Sequence, residues 1–191
     1  MFAAFPVGAC WRRKCGKGDN MIEVSVDNPV DLQKIVTALQ SKTSAQPVYM
    51  CIGTEKVFSD SLGPRVGTLL NENMPCPCFV YGMREQNITA ENLMYSYNFI
   101  KTLHPNSPIV VIDAAVGSVE QIGKIQLSDG GILPGAATNK NLPSIGDVGI
   151  VGIVAEKGMG DFYTLNSEKD KLVGKVAQFI ADAILLSTQV G

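Results

Sequence analysis

The chain has 191 residues, 46% of them hydrophobic and 18% charged, with a formal net charge of -2 at pH 7. That length and composition fit one globular domain with a sizeable core. They exclude the basic face of a nucleic-acid binder, since Arg12-Arg13-Lys14 is too short a run to supply one. No apolar run reaches the roughly 18 to 20 residues of a membrane span.

Residues 1–20 mix apolar, basic and glycine residues without a period and are expected to form a flexible extension. Val7-Gly8-Ala9-Cys10 has the look of a lipoprotein cleavage box, but no positive charge precedes it and the apolar stretch is short, so a secretion signal is rejected. The expected domain is then 21–191, in the cytoplasm. The five cysteines are odd in number and irregularly spaced, which fits reduced thiols rather than a disulfide framework. Cys76-Pro77-Cys78 is too short for a redox pair, and no second Cys/His pair completes a tetrahedral metal set.

In chain order, residues 21–26 read as a strand. Asn28-Pro29 then opens a helix with Leu32, Ile35, Val36 and Leu39 on one face. Residues 47–53 form a short apolar strand ending at Gly53. After a loop, Asp60 starts a helix with Leu62, Val66, Leu69 and Leu70 in phase, Pro64 lying harmlessly in its first turn. Residues 77–81 are the next strand and 90–103 the next helix, with Leu93, Tyr97 and Ile100 inward and His104-Pro105 as its stop. Residues 108–115 read as a strand containing Ile109-Val110-Val111-Ile112, a continuous apolar run of the kind buried on both faces. Residues 122–127 and 148–155 read as strands. The last helix covers about 168–186, with Leu172, Val176, Phe179, Ile180 and Ala183 inward. Strands alternating with helices predict a three-layer α/β fold: a mostly parallel sheet with helices on both faces. The stretch 122–133 has strand character with no helix inside it, and predicts antiparallel pairing around Asp129-Gly130-Gly131.

Ligands of open α/β sheets bind beyond the carboxyl ends of the strands. Asp60 and Asp113 both fall at that edge, one after the strand at 47–53 and one at the end of the 109–112 run. Two carboxylates held close cannot both ionise freely, so one keeps a proton, and such a pair can activate a water and protonate a leaving amine. The same pair suits a divalent metal. A purely structural reading is open as well: Asp60 as a helix N-cap and Asp113 as an acceptor of loop amides. His104 reads as a surface residue at a helix C-terminus. With one histidine there is little material for a Ser/His or Cys/His triad, and no GxGxxG or P-loop pattern marks a nucleotide cradle.

Three motifs carry a family resemblance. Cys51-Ile52-Gly53-Thr54-Glu55, followed by Ser59-Asp60-Ser61-Leu62-Gly63-Pro64, resembles the leading motif of the YyaC-like sporulation proteins, with Glu55 where an Asp is expected. Val110-Val111-Ile112-Asp113-Ala114 resembles their second motif. The run from Ile125 through Asp129-Gly130-Gly131 to Pro134-Gly135, and on to Asn139-Lys140, is similar to a stretch of the related spore germination protease. The resemblance covers residues 22–187. It implies the phosphorylase/hydrolase-like fold of the germination protease and the hydrogenase-maturation proteases, with Asp60 and Asp113 as the catalytic pair. The maturation proteases bind metal with two acids and a histidine, whereas this chain has Leu133 in the matching loop.

The resulting expectation is a sporulation-associated peptidase that hydrolyses spore proteins through Asp60 and Asp113, with no cofactor and no metal. Thr54, Ser61, Asp129, Gly130 and Gly131 are expected to bind substrate, residues 125–140 forming one wall of the cleft. The partner is then a protein or peptide, neither nucleic acid nor membrane, and the oligomeric state is open. Two rivals stand beside it: a catalytically silent binding or regulatory module, and a metal-assisted protease that adds a ligand such as Asp129.

Overall fold

The computed structural model describes residues 21–43, 46–74, 78–133, 144–156 and 167–188. Residues 1–20, with Cys10 and Cys15, lie outside that set, as do Cys76-Pro77 and the segment from Pro134 to Lys140. Six strands form one sheet: β1 (Ile22–Ser25), β2 (Val48–Cys51), β3 (Phe79–Tyr81), β4 (Ile109–Gly117), β5 (Lys124–Asp129) and β6 (Val148–Glu156). Among the described residues four α-helices accompany them: α1 (Pro29–Lys42), α2 (Leu62–Asn73), α3 (Leu93–Leu103) and α4 (Ser167–Thr188).

The strand order is β1-β5-β6-β4-β2-β3. β3, β2, β4 and β6 are parallel neighbours, and β5 runs antiparallel to both β6 and β1. This is the mostly parallel α/β architecture that the alternating pattern predicts. The antiparallel pairing expected of residues 122–133 is made by β5 between β1 and β6. That strand starts two residues later than the pattern indicates. A 3-10 turn at Val119–Gln121, closed by a Ser118/Gln121 capping box, first carries the chain to Gly123.

Each helix follows from local chemistry. Asn28 caps α1 by accepting the Val30 N–H at 3.2 Å, with Pro29 in the first turn and Lys42 in the last. α3 starts at Leu93, three residues after the expected position. The Asn92 side chain accepts the Thr89 N–H at 2.8 Å and donates to the Asn87 carbonyl at 3.0 Å, which holds residues 87–92 in turns. α4 packs against both α1 and α2. Its buried face uses Val173, Val176, Ala177, Ile180 and Ile184, while Leu172 and Phe179 are only partly covered.

The sheet has two cores. Val110, Ile112 and Ala114 of β4, with Tyr49 and Cys51 of β2, face α1, α2 and α4. The alternate residues Ile109, Val111 and Ala115, with Val48 and Met50, face Leu93 and Ile100 of α3. This period of two on a doubly covered sheet produces the continuous apolar runs read in the sequence. Among the described residues, no helix is long and apolar enough to cross a membrane.

Candidate active site

After β2 the chain passes through α2 to β3 on the outer side of the sheet. It then returns through α3, over the opposite face, to β4 on the other side of β2. The strand order therefore reverses between β2 and β4, and such a switch point opens a crevice beyond the carboxyl ends. β2 is gripped from both sides there. Ile52 N–H donates to the Ile112 carbonyl, Gly53 N–H donates to the Ile88 carbonyl, both at 2.8 Å, and Ile52 bridges Ile88.

At Gly53 the backbone turns with φ of +136°. A Cβ there would stand 2.0 Å from the Asp60 carbonyl oxygen, so only glycine lets the loop fold back. Thr54 N–H donates to that carbonyl at 2.9 Å, Asp60 N–H to Val57 O at 3.0 Å and Ser61 N–H to Phe58 O at 3.1 Å. The buried side chains of Val57 and Phe58 fasten the loop from below. Asp60 ends the 3-10 turn Phe58–Asp60 and is not a helix cap; Ser61 holds that position, and it makes no side-chain cap bond. α2 accordingly starts at Leu62 rather than at Asp60.

Asp113 lies on β4 one residue past Ile112, the last residue paired with β2, while its other side remains paired with Val151 of β6. The end of the apolar run is thus the end of the β2 pairing, while β4, expected to reach residue 115, runs on to Gly117. Alternation places Asp113 on the α3 side of the sheet. Its Oδ1 accepts the Ala114 N–H at 2.8 Å.

Both acids are shifted the same way. Burial raises Asp60 to about 6, against a smaller opposing effect of the Thr54 N–H. Asp113 is raised well above the ordinary carboxylate range, first by burial and then by the charge of Asp60, with the Ala114 N–H opposing. The two groups therefore sense one another. At neutral pH the arrangement favours an ionised Asp60 beside a protonated Asp113, an acid–base pair of the kind found where environments push two carboxyls apart.

The other residues picked from the sequence fall out differently. Thr54 and Ser61 are buried beside Asp60, but their hydroxyls are engaged inside the loop: Thr54 Oγ1 accepts the Lys56 N–H at 3.3 Å, and Ser61 Oγ donates to the Phe58 carbonyl at 2.8 Å. Asp129, Gly130 and Gly131 are not brought to the aspartates. Asp129 pairs with Val148, which pairs with Val110, at the amino edge of the parallel strands. Three residues of β4 separate that level from Asp113, about 10 Å along the strand, with two strand spacings more sideways. β5 runs against its neighbours, so its carboxyl end points away from the crevice. The Asp129 carboxylate is bonded to Lys42 instead. Gly131, at φ of +73°, packs where a Cβ would meet the Ile145 carbonyl at 2.0 Å, and this turn locks the start of β6. The described part of residues 125–140 thus does not form the cleft wall at its glycine turn, and Asp129 cannot complete a metal site with Asp60 and Asp113.

His104 caps the C-terminus of α3, also at the amino edge, with its ring tilted at 43° against Phe79 (centroids 4.0 Å apart) and hydrogen-bonded to Tyr81 Oη at 2.9 Å. Asp60 and Asp113 supply carboxylate oxygens, but among the described residues no third His, Cys, Asp or Glu joins them. The residues present do not match a two-acid-and-histidine metal set.

The elements reveal more than the motifs do. Gly53 is the pivot that returns Asp60 to the strand end, a role its position after an apolar run hints at. A cavity of about 270 Å³ opens beside the crevice, between α3 and the loop after β3, with Gly82, Gln86, Asn87, Tyr95, Ser96 and Phe99 among its lining residues. Its lining comes from the single stretch from Tyr81 to Ile100, which carries no motif.

Comparison with known proteins agrees with this architecture. The protein is similar to Uncharacterized protein YyaC of Bacillus subtilis (strain 168), with 34% identity over 157 residues, 82% of this chain and 77% of that one. Among solved structures it resembles the [NiFe] hydrogenase maturation protease HycI from Thermococcus kodakarensis KOD1, with a TM-score of 0.52 and 18% identity, covering 77% of this chain and 98% of the other. That likeness establishes a shared fold. A family model matches residues 23–183, nearly the whole described domain, and the chain belongs to that family, Protein of unknown function (DUF1256).

Proposed function

We propose that the protein is a peptidase in which Asp60 and Asp113 carry the chemistry, acting on spore proteins in the cytoplasm of a sporulating cell. The observation that supports this most directly is the position of the two carboxyls: together at the switch point, both raised by burial, and Asp113 raised further by the charge of Asp60. A protein substrate is consistent with the protease named among its fold neighbours, and the sporulation role rests on the three motifs.

In the mechanism, Asp60 in its ionised form takes a proton from a water molecule as that water attacks the scissile carbonyl carbon. Protonated Asp113 hydrogen-bonds the carbonyl oxygen as charge develops on it. Collapse of the tetrahedral intermediate breaks the C–N bond, and the Asp113 proton passes to the leaving nitrogen. A new carboxyl group and a new amine result. Asp60 is left protonated and Asp113 ionised, and proton exchange with solvent restores the starting state. Thr54 and Ser61 hold the loop that carries Asp60.

The test is incubation of purified protein with an extract of spore proteins, with new N-termini identified by mass spectrometry. Cleavage by the wild type that is lost in both Asp60→Asn and Asp113→Asn, each still folded, is the expected result. Wild-type turnover in either variant removes that residue from the mechanism. No cleavage by the wild type favours a silent binding module on the same fold.

A further inference from the structure

The cavity beside the crevice has features that the aspartate chemistry does not use. Gly82, at its base, sits so close to β2 that a Cβ would meet the Cys51 carbonyl at 1.8 Å. Ile88 and Ile100, also in its lining, belong to the core on the α3 side of the sheet, the side to which Asp113 points. The cavity and Asp113 therefore share one face. Across the carboxyl edge the order is the cavity at Gly82, then Cys51 of β2 and Ile52 just beyond it, then Ile112 and Asp113 of β4. That is two strand spacings, about 10 Å.

Its size and lining narrow what it can hold. At about 270 Å³ it falls below the roughly 300–1,000 Å³ of pockets that enclose whole small molecules, but it suits one large side chain. Tyr95 and Phe99 stand on its outer side, with ring centroids 6.4 Å apart and nearly parallel planes. Both are exposed, Tyr95 to 75%. Phe79 and Leu103 are also exposed on the β3–α3 side but toward the amino edge, which leaves Tyr95 and Phe99 as the exposed apolar cluster at the cavity itself. Clusters of that kind mark binding surfaces. No charged side chain lines the cavity, which disfavours an ionic group.

We propose that this cavity is a specificity subsite that takes an aromatic side chain of the substrate polypeptide, three residues from the scissile bond. The inference rests on the peptidase reading and adds the class of residue recognised. An extended chain advances about 3.3 Å per residue, so three residues span the 10 Å from Asp113 to the cavity mouth. An incoming ring would stack against Phe99 and Tyr95 in the offset or edge geometry that aromatic pairs prefer.

The experiment uses full-length Asp113→Asn protein, which binds without cutting, and two fluorescein-labelled decapeptides of Gly, Ser and Ala. One carries a single Phe and the other Ala at the same position. The Phe peptide is expected to bind about tenfold more tightly by anisotropy. Ser96→Trp, which fills the cavity, and Tyr95→Ala, which removes an exposed ring at no risk to the core, are each expected to erase that preference. Equal binding of the two peptides, or a preference that survives both substitutions, overturns the proposal. So does a dimer that dissociates on Tyr95→Ala in sedimentation, which would assign this face to a second copy of the chain. Cleavage by the wild-type protein with no aromatic enrichment three residues from the cut refutes the subsite and leaves the peptidase reading standing. Aromatic-selective binding without any cleavage by the wild type refutes the peptidase reading instead.

Discussion

Replacing Asp60 by Asn is expected to stabilise the protein at pH 8 while abolishing hydrolysis. The folded-state pKa of Asp60 is raised from 3.8 to about 6 by burial. A raised carboxyl pKa means that the folded state holds the proton more tightly than the unfolded chain does. The stabilisation due to that proton is therefore complete below pH ~4, declines as pH rises through the folded value near 6, and is absent above it. Two pKa units at about 1.4 kcal/mol each give a penalty of roughly 3 kcal/mol at pH 8. Asn has nearly the shape of Asp and carries no charge to desolvate, and the Thr54 N–H bond to the backbone carbonyl of residue 60 is untouched. The variant should then gain up to about 3 kcal/mol at pH 8, or roughly 6–12 °C in melting temperature for a domain of this size, and close to nothing at pH 4. Paired thermal and urea melts at the two pH values measure this. A variant less stable than wild type at pH 8, by the 0.5–2 kcal/mol typical of a lost cap, or a gain of equal size at both pH values, would refute the reasoning.

Asp113→Asn should show the same sign, with hydrolysis lost and stability gained at neutral pH, as read in the same melts and in the spore-protein cleavage assay. In the wild type, kcat/KM should fall with an apparent pKa of about 6 on the acidic side, because Asp60 must be ionised to take a proton; a profile flat from pH 5 to 8 would remove Asp60 as the base. Gly53→Ala should cost about 2 kcal/mol or more, from its positive φ and the contact with the Asp60 carbonyl, and should slow hydrolysis by displacing Asp60. This is checked by urea unfolding alongside a turnover assay. Asp129→Asn should leave hydrolysis unchanged and cost no more than about 1 kcal/mol, since it loses only a partly exposed ion pair with Lys42 at the far edge of the sheet; a tenfold loss of turnover would return that turn to the active site.

What could be read from the chain alone was whatever depends on local period and local chemistry. Asn28-Pro29 caps α1 wherever α1 sits, and Ile109-Val110-Val111-Ile112 needs cover on both faces in any sheet. The alternation of strands and helices sets a parallel, doubly covered architecture, and the sequence places Asp60 in the loop after one apolar run and Asp113 directly after another. What a pattern of neighbours does not contain is strand order and direction. Gly130-Gly131 marks a turn equally well at either edge, and only the antiparallel run of β5 beside β6 sends it, with Asp129, away from the aspartates. The meeting of Asp60 with Asp113 depends on β2 lying against β4, which results from the chain crossing over β2 between β3 and β4. The cavity under Tyr95 and Phe99 exists because α3 packs over β3, a contact between segments that carry no motif of their own. Burial and Coulomb interaction are properties of that assembled crevice, so the raised carboxyls, unlike the helices, belong to the tertiary structure alone.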